Sequence, residues 1–73
     1  MKVSIVAQKV MPRLANGPVI KAVKVEFREG TWTHTAVFTV IDTDLEGTKS
    51  ILDPSLRRIL WTLGKPPDFE WTE

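Results

Sequence analysis

An arginine-flanked tryptophan near the carboxyl end carries the clearest chemical signal in this sequence. Arg57, Arg58 and Trp61 occur together in "RRILW", and spacings of three and four residues bring side chains together on a helix surface. Trp and Arg are also enriched at the energetic centres of protein interfaces. The motif therefore predicts a partner-binding surface.

Trp61 lies outside the apolar stripe of the helix that carries it. That stripe is predicted from four residues at helical spacing, Leu56, Ile59, Leu60 and Leu63. Two explanations for Trp61 stay open at this stage. Either the tail "PPDFEW" (66–71) doubles back and covers it, or the Arg-Trp-Arg face is available to another protein.

Catalytic and metal-binding chemistries lack their residue patterns. The chain has no Cys and a single His, His34, so neither a disulfide framework nor a Cys/His zinc site can form. No sequence signature pairs His34 with a nucleophile, and the four glycines are scattered over separate turns. We expect a non-enzymatic protein with no cofactor and no metal.

The segment "DTDLEGTKSILD" (42–53) partly follows the calcium loop of an EF-hand. Lys49 replaces the usual apolar residue, Asp53 is shorter than the usual bidentate Glu, and a strand precedes the segment where an EF-hand has a helix. We therefore interpret residues 42–48 as an acidic loop that leads to a helix cap at Asp53.

Charge is divided unequally along the chain. Residues 1–28 contain six Lys or Arg and one Glu, a net charge of +5, whereas residues 29–73 have a net charge of −4. Such polarity can orient the approach of a charged partner. We predict Lys24 and Arg28 as steering charges for the surface formed by Arg57, Arg58 and Trp61.

Nucleic-acid binding is the alternative function. Lys21, Lys24 and Arg28 could neutralise phosphates as the basic face of one strand, while Trp32 and Phe38 could stack on bases. The chain has no RNA-recognition strand motif and no Gly-rich clamp. We expect nucleic-acid contact to be indirect or secondary.

The pattern of apolar residues predicts one α+β domain over residues 1–73. A three-stranded antiparallel sheet with a central hairpin packs against one carboxyl-terminal helix, followed by an ordered or semi-ordered aromatic tail. The strands are predicted at about 2–8, 19–28 and 31–41, the helix at about 54–63 and the tail at 65–73.

Local signals set the expected ends of the helix and the faces of the sheet. Asp53 is expected to cap the helix, with Pro54 at its first position and Gly64 just beyond its end. In each strand, alternation places one set of residues on a common face: Val3, Ile5 and Ala7, then Val23, Val25 and Phe27, then Trp32, His34, Ala36, Phe38 and Val40. The third strand is apolar on both faces near Ile41, so we expect that end to be covered on both sides.

The amino-terminal apolar run ends at Gln8 and Lys9. It is too short for a signal peptide or a membrane span. We expect a cytoplasmic protein, monomeric and with no membrane partner.

Three segments give the sequence its overall character: "MKVSIVAQKVMPRL", the hairpin "KVEFREGTWTHTAVF" and "RRILW". Through these segments, and taken whole, the sequence resembles small phage-encoded transcription regulators that bind RNA polymerase, such as one of the same length in a Xanthomonas-infecting phage. The resemblance implies a non-enzymatic binder of the β′ subunit of bacterial RNA polymerase, at its N-terminus. Binding there would disturb sigma-factor engagement and inhibit promoter-dependent initiation, and could also cause antitermination.

Overall fold

The computed structural model describes residues 1–13 and 15–72 and confirms the α+β class. Its elements in chain order are β1 (Lys2–Val10), β2 (Ile20–Glu29), β3 (Trp32–Ile41), α1 (Leu45–Thr62) and β4 (Glu70–Trp71). The strands form one sheet in the order β3-β2-β1-β4. The three long strands pair antiparallel as predicted, but β4 pairs parallel with β1, so the sheet is mixed.

The central hairpin forms because a turn at Gly30 joins two alternating segments. Glu29 pairs with Trp32, which leaves a two-residue loop, and Gly30 has a φ of +59°. A side chain at that angle would be strained, whereas glycine adopts it readily. The inner residues of β2, Val23, Val25 and Phe27, are fully buried as the alternation predicted.

A β-bulge reverses the alternation of β1. Ile5 pairs with Val25, but the next paired residue, Ala7, lies opposite Lys24, so Val6 is the extra residue. Residues directly opposite each other share a face of the sheet. The prediction that Ala7 shares the inner face with Val3 and Ile5 is therefore wrong, since the bulge moves it to the outer face.

The helix begins nine residues before the predicted start. Its N-cap is Asp44, whose Oδ1 accepts a hydrogen bond from the Gly47 N–H at 2.8 Å. Asp53 and Pro54, predicted as the cap and the first helical residue, lie inside the helix. The predicted acidic loop 42–48 is thus a loop only through Asp44, and the calcium-loop alternative loses its geometry because the segment is helical from Leu45 onwards.

Packing onto the sheet explains why the helix continues through Pro54. Its buried residues recur every four positions: Thr48, Leu52, Leu56 and Leu60. They meet the inner face of the sheet, where the core also contains Val3, Val23, Val25, Phe27 and Val40. Apolar burial along this row offsets the hydrogen bond that a helical proline removes. Ile59 packs at the margin of the core, but Leu63, predicted as part of the stripe, is 42% exposed.

The tail returns to the amino-terminal strand. The Glu70 N–H donates to the Met1 carbonyl at 2.9 Å, and the Thr72 N–H donates to the Val3 carbonyl at 2.8 Å. Phe69 and Trp71 meet edge to face with ring centroids 5.5 Å apart and pack against the margin of the core. The tail predicted over 65–73 is therefore ordered through Thr72, and its last residue, Glu73, lies outside the described residues.

Candidate protein-binding site

Trp61 lies on the last turn of α1 and is 74% exposed. The helix ends beside it: the Gly64 N–H donates to the Trp61 carbonyl at 3.0 Å, and the Lys65 N–H donates to the Leu60 carbonyl at 2.9 Å. Gly64 has a φ of +76°, as its predicted position requires. Trp61, Gly64, Lys65 and Pro66 line a shallow concavity of about 370 Å³.

The tail does not cover Trp61. Its aromatic residues Phe69 and Trp71 turn toward the core margin and the β1 edge, and only Pro66 borders the Trp61 concavity. Of the two explanations that the sequence left open, covering by the tail is wrong. Large aromatic side chains dominate the energetics of cores and interfaces. Because the Trp61 indole is not buried in the core, its apolar surface is available for burial by a partner.

Arg57 holds the tail instead of flanking Trp61. Its Nε donates to Asp53 Oδ1 at 2.7 Å, its Nη1 donates to the Pro67 carbonyl at 2.8 Å, and its guanidinium lies 4.9 Å from the centre of the Phe69 ring. The hydrogen bond to Asp53 raises the pKa of Arg57 above its ordinary value. This arrangement was not predicted from the sequence, because the tail residues follow no periodic pattern.

Arg58 is the exposed arginine of the pair. Among the described residues its guanidinium has no hydrogen-bond or ion-pair partner, and its carbonyl accepts a hydrogen bond from Thr62 Oγ1 at 2.9 Å. It precedes Trp61 by three residues, a spacing that places both on one face of α1. The predicted trio therefore divides into one structural arginine and an exposed Arg58–Trp61 pair.

Lys65 also lines the Trp61 concavity, but its ammonium group lies over another tryptophan. Its Nζ lies 4.6 Å from the centre of the Trp32 ring and donates to Glu29 Oε1 at 3.3 Å. These contacts fix the chain after the helix against the start of β3. The rim of the Trp61 concavity is consequently ordered, and it needs little rearrangement before a partner docks.

The predicted basic residues of β2 lie away from Trp61. Lys24 and Arg28 are exposed on the outer face of the sheet, opposite the face that α1 covers, and Arg28 Nε lies 3.5 Å from Glu26 Oε1. They can act on a partner of the Trp61 surface only through the long-range field, which salt screens over about 10 Å.

Lys21 belongs to the covered face and is nearly buried. Its Nζ donates to the Thr43 carbonyl at 3.0 Å and lies 3.7 Å from Asp42 Oδ1. The prediction that Lys21, Lys24 and Arg28 form one basic face is therefore wrong, because alternation along β2 separates Lys21 from the other two. The sequence signal for this placement is that Lys21, Val23 and Val25 are alternate residues of one strand and therefore share a face.

The aromatic residues proposed for base stacking also lie on the covered face. Trp32 and Phe38 both pack against the core, so the outer face presents cations and hydroxyl groups without exposed rings. The exposed residues of β3 near its end, Val37 and Ile41, are 66% and 57% exposed. The expectation that this end is covered on both sides is wrong, since α1 packs on one face only.

Within residues 1–13 and 15–72, no three His, Asp or Glu side chains lie close enough together to hold a metal ion. In the same part of the chain, no helix is both long enough and apolar enough to cross a membrane.

No protein-family model matches this chain, and no curated protein or solved structure is significantly similar to it.

Proposed function

We propose that this protein is a non-enzymatic regulator that binds bacterial RNA polymerase at the N-terminus of the β′ subunit. The identity of the partner rests on the resemblance of the sequence to phage-encoded regulators. The structural observation that supports a protein-binding role is the exposure of Trp61 beside Arg58 on an ordered rim. The protein would act in the host bacterial cytoplasm.

An exposed tryptophan next to an arginine supplies the two side-chain types that contribute most to interface energetics. A partner segment that fills the concavity beside Trp61 would bury the indole. Arg58 would pair with a carboxylate of that segment. Arg57 supports this surface indirectly, because its contacts with the tail hold the tail away from Trp61.

Inhibition would follow from competition on the polymerase surface. A protein bound at the β′ N-terminus would disturb the engagement of sigma factor and lower initiation at promoters. The same protein, retained during elongation, would permit passage through terminators. Neither effect requires a catalytic group or a cofactor.

The first experiment is an affinity capture with the tagged protein from nuclease-treated bacterial lysate. We expect stoichiometric RNA polymerase subunits in the bound fraction, identified by mass spectrometry. Trp61→Ala should lose this capture while leaving the free energy of unfolding within about 0.5 kcal/mol of wild type, as for most exposed substitutions.

Ile51→Ala is the matched control, since Ile51 is a large apolar residue exposed on the same helix. It should capture polymerase as wild type does. Absence of polymerase, or its presence only when nucleic acid is intact, would contradict the proposed function. Equal losses in both variants would show that the Trp61 surface is not the binding site.

The second candidate function is direct nucleic-acid binding by the outer face of the sheet. Lys9 and Lys24 are exposed there and have no ion pair among the described residues. This function predicts affinity for DNA or RNA that falls steeply with salt and that Lys24→Ala weakens. Without exposed aromatic rings on that face, contacts would be to phosphates and would show little sequence preference.

A further inference from the structure

We propose that the free edge of β3 pairs with β3 of a second copy of this chain, which makes the protein a two-fold symmetric dimer with one continuous sheet. This departs from the monomer expected from the sequence. It is independent of the proposed function, because β3 lies on the sheet and Trp61 on the helix.

The edge of β3 is long and has no strand beside it. β3 is the terminal strand of the sheet, and within the described residues it pairs with β2 alone. Its ten residues contain no Pro, Lys, Arg, Asp or Glu. Exposed edges in monomeric proteins usually carry such residues or a bulge, which discourage pairing with another chain.

The other edge of the sheet shows the protection that β3 lacks. β4 covers the start of β1, the bulge at Val6 distorts its middle, and Lys2 and Lys9 place charges along it. Charge and distortion at an edge are the usual means of preventing association. The contrast between the two edges therefore singles out β3 as the side that is open to pairing.

The register of the hairpin identifies which backbone groups are free. The Asp42 N–H donates to the Val19 carbonyl at 2.9 Å, and hydrogen-bonded pairs alternate along antiparallel strands. The even-numbered residues of β3 therefore bond to β2. The N–H and C=O groups of the odd-numbered residues point outward: Thr33, Thr35, Val37, Thr39 and Ile41.

A two-fold axis at Val37 pairs these groups with their symmetry equivalents. Val37 then lies opposite Val37 of the second copy, and Thr35 lies opposite Thr39. Valine and threonine pairs of this kind stabilise antiparallel strands. Val37 is 66% exposed in the isolated chain, and pairing would cover it with an identical apolar side chain.

Charge favours a second copy as the occupant. His34 is the single ionisable side chain in β3, and in this register it lies opposite Val40, so no like charges meet along the strand. Antiparallel pairing also brings the start of β3, where Lys65 stacks on Trp32, toward the acidic Asp42 and Asp44 that follow β3 in the other copy.

The test is sedimentation velocity of the full chain from micromolar to millimolar concentration. We expect a concentration-dependent species of twice the 8.3 kDa chain mass. Val37→Lys should abolish it, because two ammonium groups would lie opposite each other at the axis. Val6→Lys, a matched substitution of an exposed valine on the bulged β1, should dimerise as wild type does.

Hydrogen exchange provides an independent readout of the same pairing. The amides of Thr35, Val37 and Thr39 should exchange more slowly as wild-type concentration rises, and should not do so in the Val37→Lys variant. A chain that stays monomeric throughout the concentration range overturns the proposal, including the case in which β3 accepts a strand from a different protein. A dimer that persists in Val37→Lys also overturns it.

Discussion

The region between α1 and the sheet differs sharply from the surfaces that α1 leaves uncovered. In the interior, Leu52, Leu56 and Leu60 pack in the core with almost no exposed area. Outside it, Trp61 and Val37 stand largely in solvent. Leucine, valine and lysine occur in both regions, so residue type alone does not distinguish them.

The difference shows that position relative to one helix decides what each side chain does. Lys21 and Lys24 are three residues apart on the same strand. The first ties the end of β3 to the start of α1, and the second faces solvent. Matched substitutions of one residue type in the two regions therefore test this comparison directly.

The largest effect is expected from the leucines. Leu56→Ala should lower the free energy of unfolding by about 2–5 kcal/mol, because it leaves a cavity in a fully buried site. Leu63→Ala should cost less than about 1 kcal/mol, since its side chain is already partly in water. Urea denaturation followed by circular dichroism measures both values.

A domain of this size typically has only ~3–5 kcal/mol of net stability. A Leu56→Ala variant that fails to fold would therefore also agree with the predicted loss. Equal losses in Leu56→Ala and Leu63→Ala would contradict the boundary of the core described here.

An intermediate effect is expected from the two lysines of β2. Lys21→Met keeps the apolar stem but removes the donor to the Thr43 carbonyl, and should cost about 1–3 kcal/mol. Lys24→Met should change the free energy of unfolding by less than about 0.5 kcal/mol. Thermal unfolding compares the two variants, and a larger loss from Lys24→Met would show that the outer face has a structural role.

The smallest effect is expected on the pairing of β4 with β1. The hydrogen bond from Lys2 lowers the pKa of Glu70 below its ordinary value. A carboxylate with a lowered folded-state pKa stabilises the fold above its unfolded pKa, and that contribution disappears as pH falls through the folded pKa. The pairing of β4 should therefore weaken on acidification.

NMR titration of the Glu70 side-chain carboxyl carbon measures this effect. Lys2→Met should raise the pKa of Glu70 toward its ordinary value and remove most of the pH dependence of the Thr72 amide. Lys9→Met, farther along the same strand, should leave the titration unchanged. An identical Glu70 titration in wild type and Lys2→Met would show that the ion pair does not act on β4 in solution.

Much of the sheet could be predicted from the sequence because its signals are local. The alternation of β2 and β3 and the turn at Gly30 lie within one short segment, and the predicted hairpin agrees with the structure to within one residue at each strand end. The bulge in β1 was missed because Val6 and Ala7 continue an ordinary β-branched and small-residue pattern.

The helix start and the tail could not be predicted in the same way. Asp53 and Pro54 are a strong local signal for a helix beginning, and packing of Thr48 and Leu52 on the sheet overrides it. The pairing of Glu70 with Lys2 joins residues at opposite ends of the chain. Such a contact depends on the completed sheet and has no signal in neighbouring residues.

The candidate site likewise combines features set by local sequence with features set by contacts between distant segments. Helical spacing alone places Trp61 outside the apolar stripe, and Gly64 alone ends the helix beside it, because both depend on residues within one turn. Tertiary structure decided that Arg57 holds the tail, that Arg58 stays exposed and that Lys24 lies on the far side of the sheet. Periodicity fixes which face a side chain takes, whereas only the packing of distant segments determines which faces are left to solvent.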